Sequence, residues 1–380
     1  MLPLFAVLLL VAAAISALVA QGVAIVLAYE MPRLDPAPPE DRPSARGKVS
    51  VIVAARNEAA ELPGTLDALL AQDYPDLEVV VVDGGSSDGS RGEIDRRAPR
   101  VRRVDEPPLP DGWVGKNWAC WVGARATGGE WLLFLDADVR LAPATVRTTV
   151  EWAEREGAVL ASIAPRIEML GFWERTVLPF YVQMVLTTYR APSTNRDGSK
   201  RAMANGQYWL VGRADYTALG GHEAVRGLIL EDIAIARRFR AAGKRLRLAW
   251  APDLAVTRMY SDRHEMFEGL VKNIHGTRFS AGRLALLLGV LVGLFWLPLG
   301  LLPLGWVVGS WPLVGLGALL DIALFGKHVA FARTTGAPAV YGFLFPVAVG
   351  FYVVVVLTSL VRGLRGRTVT WKGRSYPLRP

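Results

Sequence analysis

The chain has 380 residues and a formal net charge of +8, with 52% hydrophobic and 21% charged residues. That balance excludes an intrinsically disordered chain, which is poor in apolar residues and rich in charge. A single cysteine, Cys120, excludes an internal disulfide framework and a multi-cysteine metal site. His222-Glu223-Ala224-Val225-Arg226 opens like a zinc-protease helix but ends in Arg, which excludes that chemistry too.

Residues 1–30 read as an N-terminal transmembrane anchor, because 4–28 are apolar apart from Gln21. A helix needs about 20 apolar residues to cross the hydrocarbon core. Nothing basic precedes the run, which argues against a secretory signal. Arg33, Arg42, Arg46 and Lys48 follow it, so the positive-inside rule predicts a cytoplasmic position for the next domain. Residues 31–47 are Pro-rich and read as a linker.

Residues 48–260 read as an α/β domain. Val49–Ala55, Leu77–Val82 and Trp131–Leu135 are apolar runs predicted as buried strands, and 60–72 carries leucines at helical spacing. Strands alternating with helices predict a mostly parallel, Rossmann-like sheet. Such sheets bind ligands at the carboxyl ends of their strands, where the polar loops of this domain fall. The cluster Arg96, Arg97, Arg100, Arg102 and Arg103 has no interleaved aromatics. It reads as a solvated face beside anionic lipid, not a nucleic-acid site.

Residues 261–283 are predicted as an amphipathic, interfacial connector and 284–361 as C-terminal membrane helices. Within the latter, 284–302 and 303–325 form two spans divided by Pro298 and Pro303. Residues 340–361 form a third apolar stretch, expected to bend at Pro346 into a re-entrant or interfacial hairpin. That arrangement keeps the basic tail, 362–380, in the cytoplasm.

Four segments carry candidate chemistry. Asp136-Ala137-Asp138 puts two carboxylates at a strand end, a pattern that can hold a hard divalent cation. Asp83-Gly84-Gly85-Ser86-Ser87-Asp88-Gly89 is a glycine-rich loop open to close ligand approach. Lys116, in Gly115-Lys116-Asn117-Trp118, can reach phosphate as a point charge, although Asn117 rules out a Walker loop. Glu231-Asp232 opens a predicted helix, and one of the two carboxylates can act as a general base or simply favour the helix dipole.

Taken in order, VSVIVAARNEA, VVVDGGSSDGS, WLLFLDADV and GGHEAVRGLILEDIAIARRFRAAG resemble a family 2 glycosyltransferase of GT-A fold. GWVGKNWAC, NGQYWLVGR, RMY and VTWKGRSY, with the terminal spans, resemble its membrane-bound branch acting on carotenoid or hopanoid-type lipids. The resemblance implies that Ala55, Glu58 and Asp83 line a nucleoside pocket and that Asp136 lies near ribose and diphosphate. It implies that Asp138 binds the metal, Mg²⁺ or Mn²⁺, and that Asp232 is the base. Asn205, Gly206, Gln207 and Glu231 fall on the sugar and acceptor side, and Trp371 and Arg374 help form the acceptor entrance. Gly84 stands where many members carry a second Asp. No Gln-x-x-Arg-Trp signature follows residue 232, which favours transfer of one sugar over polymerisation.

The expectation is therefore an inverting enzyme in the cell membrane, multi-pass, with its catalytic domain cytoplasmic. It would move a sugar from a nucleotide sugar, a UDP-hexose, to a lipid hydroxyl such as a carotenoid's. Alternative acceptors are polyprenyl phosphate, ceramide or diacylglycerol, and an alternative of another class is a silent scaffold or transport subunit.

Overall fold

The computed structural model describes residues 30–37 and 47–365, isolated positions between 12 and 27, and the backbone of 369–371 and 374–376. The predicted anchor lies almost wholly outside the described residues, as do most of the linker, the end of the basic tail and the side chains of Trp371 and Arg374.

The strands are β1 (Val49–Ala55), β2 (Leu77–Asp83), β3 (Val101–Asp105), β4 (Trp131–Asp136), β5 (Val139–Leu141), β6 (Leu160–Ala164), β7 (Arg166–Ile167), β8 (Tyr208–Gly212), β9 (Leu246–Trp250) and β10 (Ala255–Thr257). Seven of them form one sheet in the order β3-β2-β1-β4-β8-β6-β9, in which only β8 runs antiparallel to its neighbours. Its strands are apolar on both faces because helices cover both. Val49, Val51 and Val53 point into one core with Leu62 and Leu66, whereas Ile52, Val80 and Val82 point into the other. A second, small sheet, β5-β10-β7, sits beside the end of β4.

Register aligns the functional edge. Ala54 of β1 pairs with Asp136, Ala55 with Asp83, and Asp83 with Asp105, so the strand ends finish level.

The helices used below are α1 (Leu62–Leu70), α2 (Ser90–Asp95), α3 (Gly115–Ala126), α4 (Thr145–Glu156), α5 (Phe172–Tyr189), α6 (Arg213–Ala218), α7 (Glu231–Ala241) and α8 (Arg263–Gly276). Helix α3 lies tight against the sheet, since a Cβ at Gly123 would collide with Ile52 Cγ2. Asp262 caps α8 by accepting from the amides of His264 and Glu265 at 2.6 and 2.9 Å.

Three C-terminal helices are long and apolar enough to cross a membrane: α9 (Ala281–Val307), α10 (Trp311–Thr334) and α11 (Ala339–Leu364). Two expectations need correction here. The chain does not break at Pro298 and Pro303; α9 runs through both, with a π turn over Val292–Trp296 just before Pro298. The extra residue in that turn already displaces the hydrogen-bond ladder, so Pro298 follows with little further loss. The break falls at residues 308–310, where Gly309 adopts φ +66°. Nor does Pro346 bend a hairpin, because it occupies the first turn of the α-helical part of α11, where proline fits.

Candidate active site

The level strand ends, the loop before β8 and the start of α7 enclose a cavity of about 350 Å³. Lys116, Asp136, Asp138, Asn205, Gly206, Gln207, Glu231 and Asp232 all line it. Eight residues singled out in the sequence therefore meet in one place, although they span more than a hundred positions.

Lys116 is the hub. Its Nζ lies 2.7 Å from Asp136 Oδ1 and 3.0 Å from Glu231 Oε1, and donates to the Gly206 carbonyl at 3.4 Å. Burial opposes the charge, but Asp136 and Glu231 outweigh it and hold the lysine protonated, well above its ordinary range. Lys116 therefore bridges a strand-end acid and the first acid of α7.

Asp232 follows Glu231 in the first turn of α7. Burial and the neighbouring Glu231 push its carboxyl up to about 7, against the pull of Lys116 and of the amides of Ile233 and Gly206. A carboxyl poised there can take a proton near neutral pH. A Cβ at Gly206 would stand 2.9 Å from Asp232 Oδ2 and 3.4 Å from Lys116 Nζ, so a larger residue there would displace those side chains.

Asp138 closes the other side. Burial, with the charge of Asp136, pushes its carboxyl up to about 7. Thr257 donates to Asp138 Oδ2 at 3.1 Å and accepts from Gln207 Nε2 at 3.4 Å. The Gln207 amide donates in turn to Asn205 Oδ1 at 3.1 Å, and the Asp136 amide to the Gln207 carbonyl at 3.1 Å. One relay therefore runs from the sugar-side residues to the acidic pair.

Among the described residues no cluster of three or more His, Cys, Asp or Glu forms a closed metal cage. Two crowded carboxylates nonetheless fit a hard divalent cation that takes its remaining ligands from a diphosphate and water. Burial, and then the charge of Asp136, raise the Asp138 carboxyl, and a cation there would offset both.

Ala55 and Asp83 end the adjoining strands and Glu58 lies in the loop after β1; none of the three is on the cavity wall. Asp83 is fully buried, and its carboxylate accepts from Arg91 Nε at 2.6 Å and from the Ser86 amide at 3.2 Å. Burial alone would raise it, yet those hydrogen bonds keep it below its usual range. The Glu58 amide donates to Ser90 Oγ at 2.8 Å, and its charge reaches Asp138.

Two residues that the sequence reading passed over hold the site together. Asn117, buried beside Lys116, donates to the carbonyls of Val225, Arg226 and Leu228 at 3.1, 3.2 and 2.9 Å. It ties α3 to the segment that leads into Glu231. Thr257 sits one residue before the Arg258-Met259-Tyr260 stretch, which was the available signal. His222 is a packing residue: burial, aided by Lys116, holds it neutral down to about 3, and Tyr216 meets its Nδ1 at 2.7 Å.

Beyond the acids the wall turns apolar. Met184 and Val185 of α5, then Phe279 and Leu287, carry the cavity to α9.

Residues 50–225 match the family described as Glycosyl transferase family 2. A protein of Staphylococcus haemolyticus named 4,4'-diaponeurosporenoate glycosyltransferase is 27% identical over 229 residues, which cover 60% of this chain and 60% of that protein. A Staphylococcus aureus protein of the same name is 27% identical over 230 residues, again 60% of each. The match thus spans under two thirds of these relatives. Among solved structures, a mannosyltransferase from Pyrobaculum calidifontis in complex with GDP-Man and Mn²⁺ superposes with a TM-score of 0.53. At 19% identity, covering 93% of this chain and 99% of that one, the likeness is one of fold. Residues 50–225 are thus similar to glycosyl transferase family 2, and the chain has the GT-A fold.

Proposed function

We propose that this protein transfers a single sugar from a nucleotide sugar to the hydroxyl of a membrane lipid, a carotenoid or related isoprenoid. The observation that carries the reading is the cavity itself. At one end stand Asp136, Asp138 and Asp232; the opposite wall reaches Leu287, inside a helix apolar enough to span a bilayer. An apolar acceptor can then reach the acids without leaving the lipid. The names of the staphylococcal relatives support a carotenoid-type acceptor, and the GDP-Man of the archaeal structure supports a nucleotide-sugar donor.

Asp232 takes the proton from the acceptor hydroxyl. The freed oxygen attacks the anomeric carbon from the face opposite the diphosphate. The bond from that carbon to the diphosphate oxygen breaks, the nucleoside diphosphate leaves with the electron pair, and the configuration inverts. Asp136 and Asp138 would hold a divalent cation, Mg²⁺ or Mn²⁺, which supplies positive charge to the leaving diphosphate. Lys116 keeps Asp136 and Glu231 in place across the cleft. Ala55, Glu58 and Asp83 form the neighbouring edge on which the nucleoside would rest. The catalytic domain would face the cytoplasm, with α9 and α10 in the membrane.

Asp232→Asn tests this reading. It keeps shape and removes the base, so transfer should fall at least about a hundredfold while nucleotide affinity stays within about twofold. Turnover at the wild-type rate would contradict the assignment and point to an acceptor, such as a lipid phosphate, that needs no base.

A further inference from the structure

Helix α5 places Tyr181, Met184, Val185, Thr188 and Tyr189 at the spacing that gathers residues on one helical face. All five line the cavity, and none is buried in the core. An apolar stripe left facing open space is costly unless something apolar fills it. Phe279 and Leu287 supply an apolar wall to the same cavity.

The two tyrosines give the stripe polar ends. Both tyrosines line the same cavity as Asp232, and its charge acts on both hydroxyls. Burial and that charge push Tyr189 up to about 12 and Tyr181 further, keeping both hydroxyls protonated as donors. Asn273 of α8 donates to the Tyr181 hydroxyl at 3.4 Å. A phenol that accepts there still has its own proton to give.

We propose that this face of α5 selects the acceptor. Met184, Val185, Phe279 and Leu287 hold a long apolar chain entering beside α9, and Tyr181 donates to its terminal oxygen. That leaves the oxygen's own proton directed at Asp232. The proposal rests on the glycosyl-transfer reading above and adds what the acceptor must be: a chain ending in a hydroxyl that Tyr181 can grip.

The test uses the full-length protein in detergent and two polyene probes, tritiated retinol and its deoxy hydrocarbon analogue, with binding read by filter retention. One neutral hydrogen bond in a buried site predicts about tenfold tighter binding of retinol. Tyr181→Phe should bind both probes alike, at the wild-type affinity for the hydrocarbon. Val185→Trp should lose both probes while keeping wild-type affinity for nucleoside diphosphate, which shows that it folds. A preference for retinol unaltered in Tyr181→Phe, or polyene binding unaltered in Val185→Trp, overturns the proposal. A separate arm measures transfer of labelled sugar into lipid extract by the wild type and by Tyr181→Phe. Label with no effect of Tyr181 overturns the acceptor grip alone; no label from any nucleotide sugar overturns the reading beneath it as well.

Discussion

Asp232 is protonated more readily in the folded chain, near pH 7, than in the unfolded chain, near pH 4. Between those values the native state binds the extra proton, so this group's contribution to stability falls as pH rises. Asp232→Asn should therefore be more stable than the wild type at pH 8 and show no such difference below pH 4, measured by thermal unfolding. In the active enzyme the same carboxyl must be ionised to act. The rate constant kcat/KM should climb about tenfold per pH unit on the acid side and level off above about pH 8; a profile flat from pH 5 to 8 would exclude Asp232 as the base. Thr257 is a second residue-scale case. It donates to Asp138 at 3.1 Å and links that carboxylate to Gln207. Removing such an outer partner typically costs ten- to a hundredfold in metal affinity, so Thr257→Val should raise the half-saturating Mn²⁺ concentration by about that factor and leave acceptor KM unchanged.

Among the elements, α3 shows how a fold feature becomes a site feature. Gly123 lets it close on β1, and Asn117 staples it to three carbonyls ahead of α7, so Lys116 is held at fixed reach of Glu231. Asn117→Ala leaves buried carbonyls unpaired and should cost about 1–3 kcal/mol in unfolding free energy; a change below the error of the measurement would deny the staple. Strands β1, β2 and β4 were legible residue by residue, because buried parallel strands are written as unbroken apolar runs. Asp136, Asp138, Glu231 and Asp232 were legible from their place at strand and helix ends. Asn117 and Thr257 were not, because their partners are backbone and side-chain groups brought near only by tertiary packing. The break in the membrane region was misjudged for a local reason: proline signals a break in water-exposed helices, yet α9 absorbs Pro298 after a π turn and puts its turn at Gly309 instead.

At the scale of the whole molecule, α11 differs from the other two apolar helices. Its start meets the catalytic domain, with the Tyr341 ring 6.0 Å from that of Phe172 and the Arg175 guanidinium 5.8 Å over it. Its end meets the segment that follows that domain, where Arg362 pairs with Glu268 of α8 at 2.7 Å. A helix held at both ends in this way should leave Arg365 on the domain's side of the membrane, with the α9–α10 turn opposite. Cysteines replacing Arg365, Ser310 and Arg100 report on this, since native Cys120 is buried. Impermeant maleimide applied to inside-out vesicles should label positions 100 and 365 and spare 310. Labelling of 310 with 100 would contradict the crossing hairpin.

If one cavity joins a nucleotide-sugar site to the bilayer, sugar must pass from water-soluble donor to lipid. Transfer of radiolabel from a panel of nucleotide sugars into organic-extractable lipid measures this, using membranes that carry the wild type or Asp138→Ala, with and without chelator. Label should appear in the lipid phase from the wild type, be lost on chelation and be absent in Asp138→Ala. Label confined to the aqueous phase for every donor, with carotenoid and sterol-like alcohols supplied as acceptors, would contradict it.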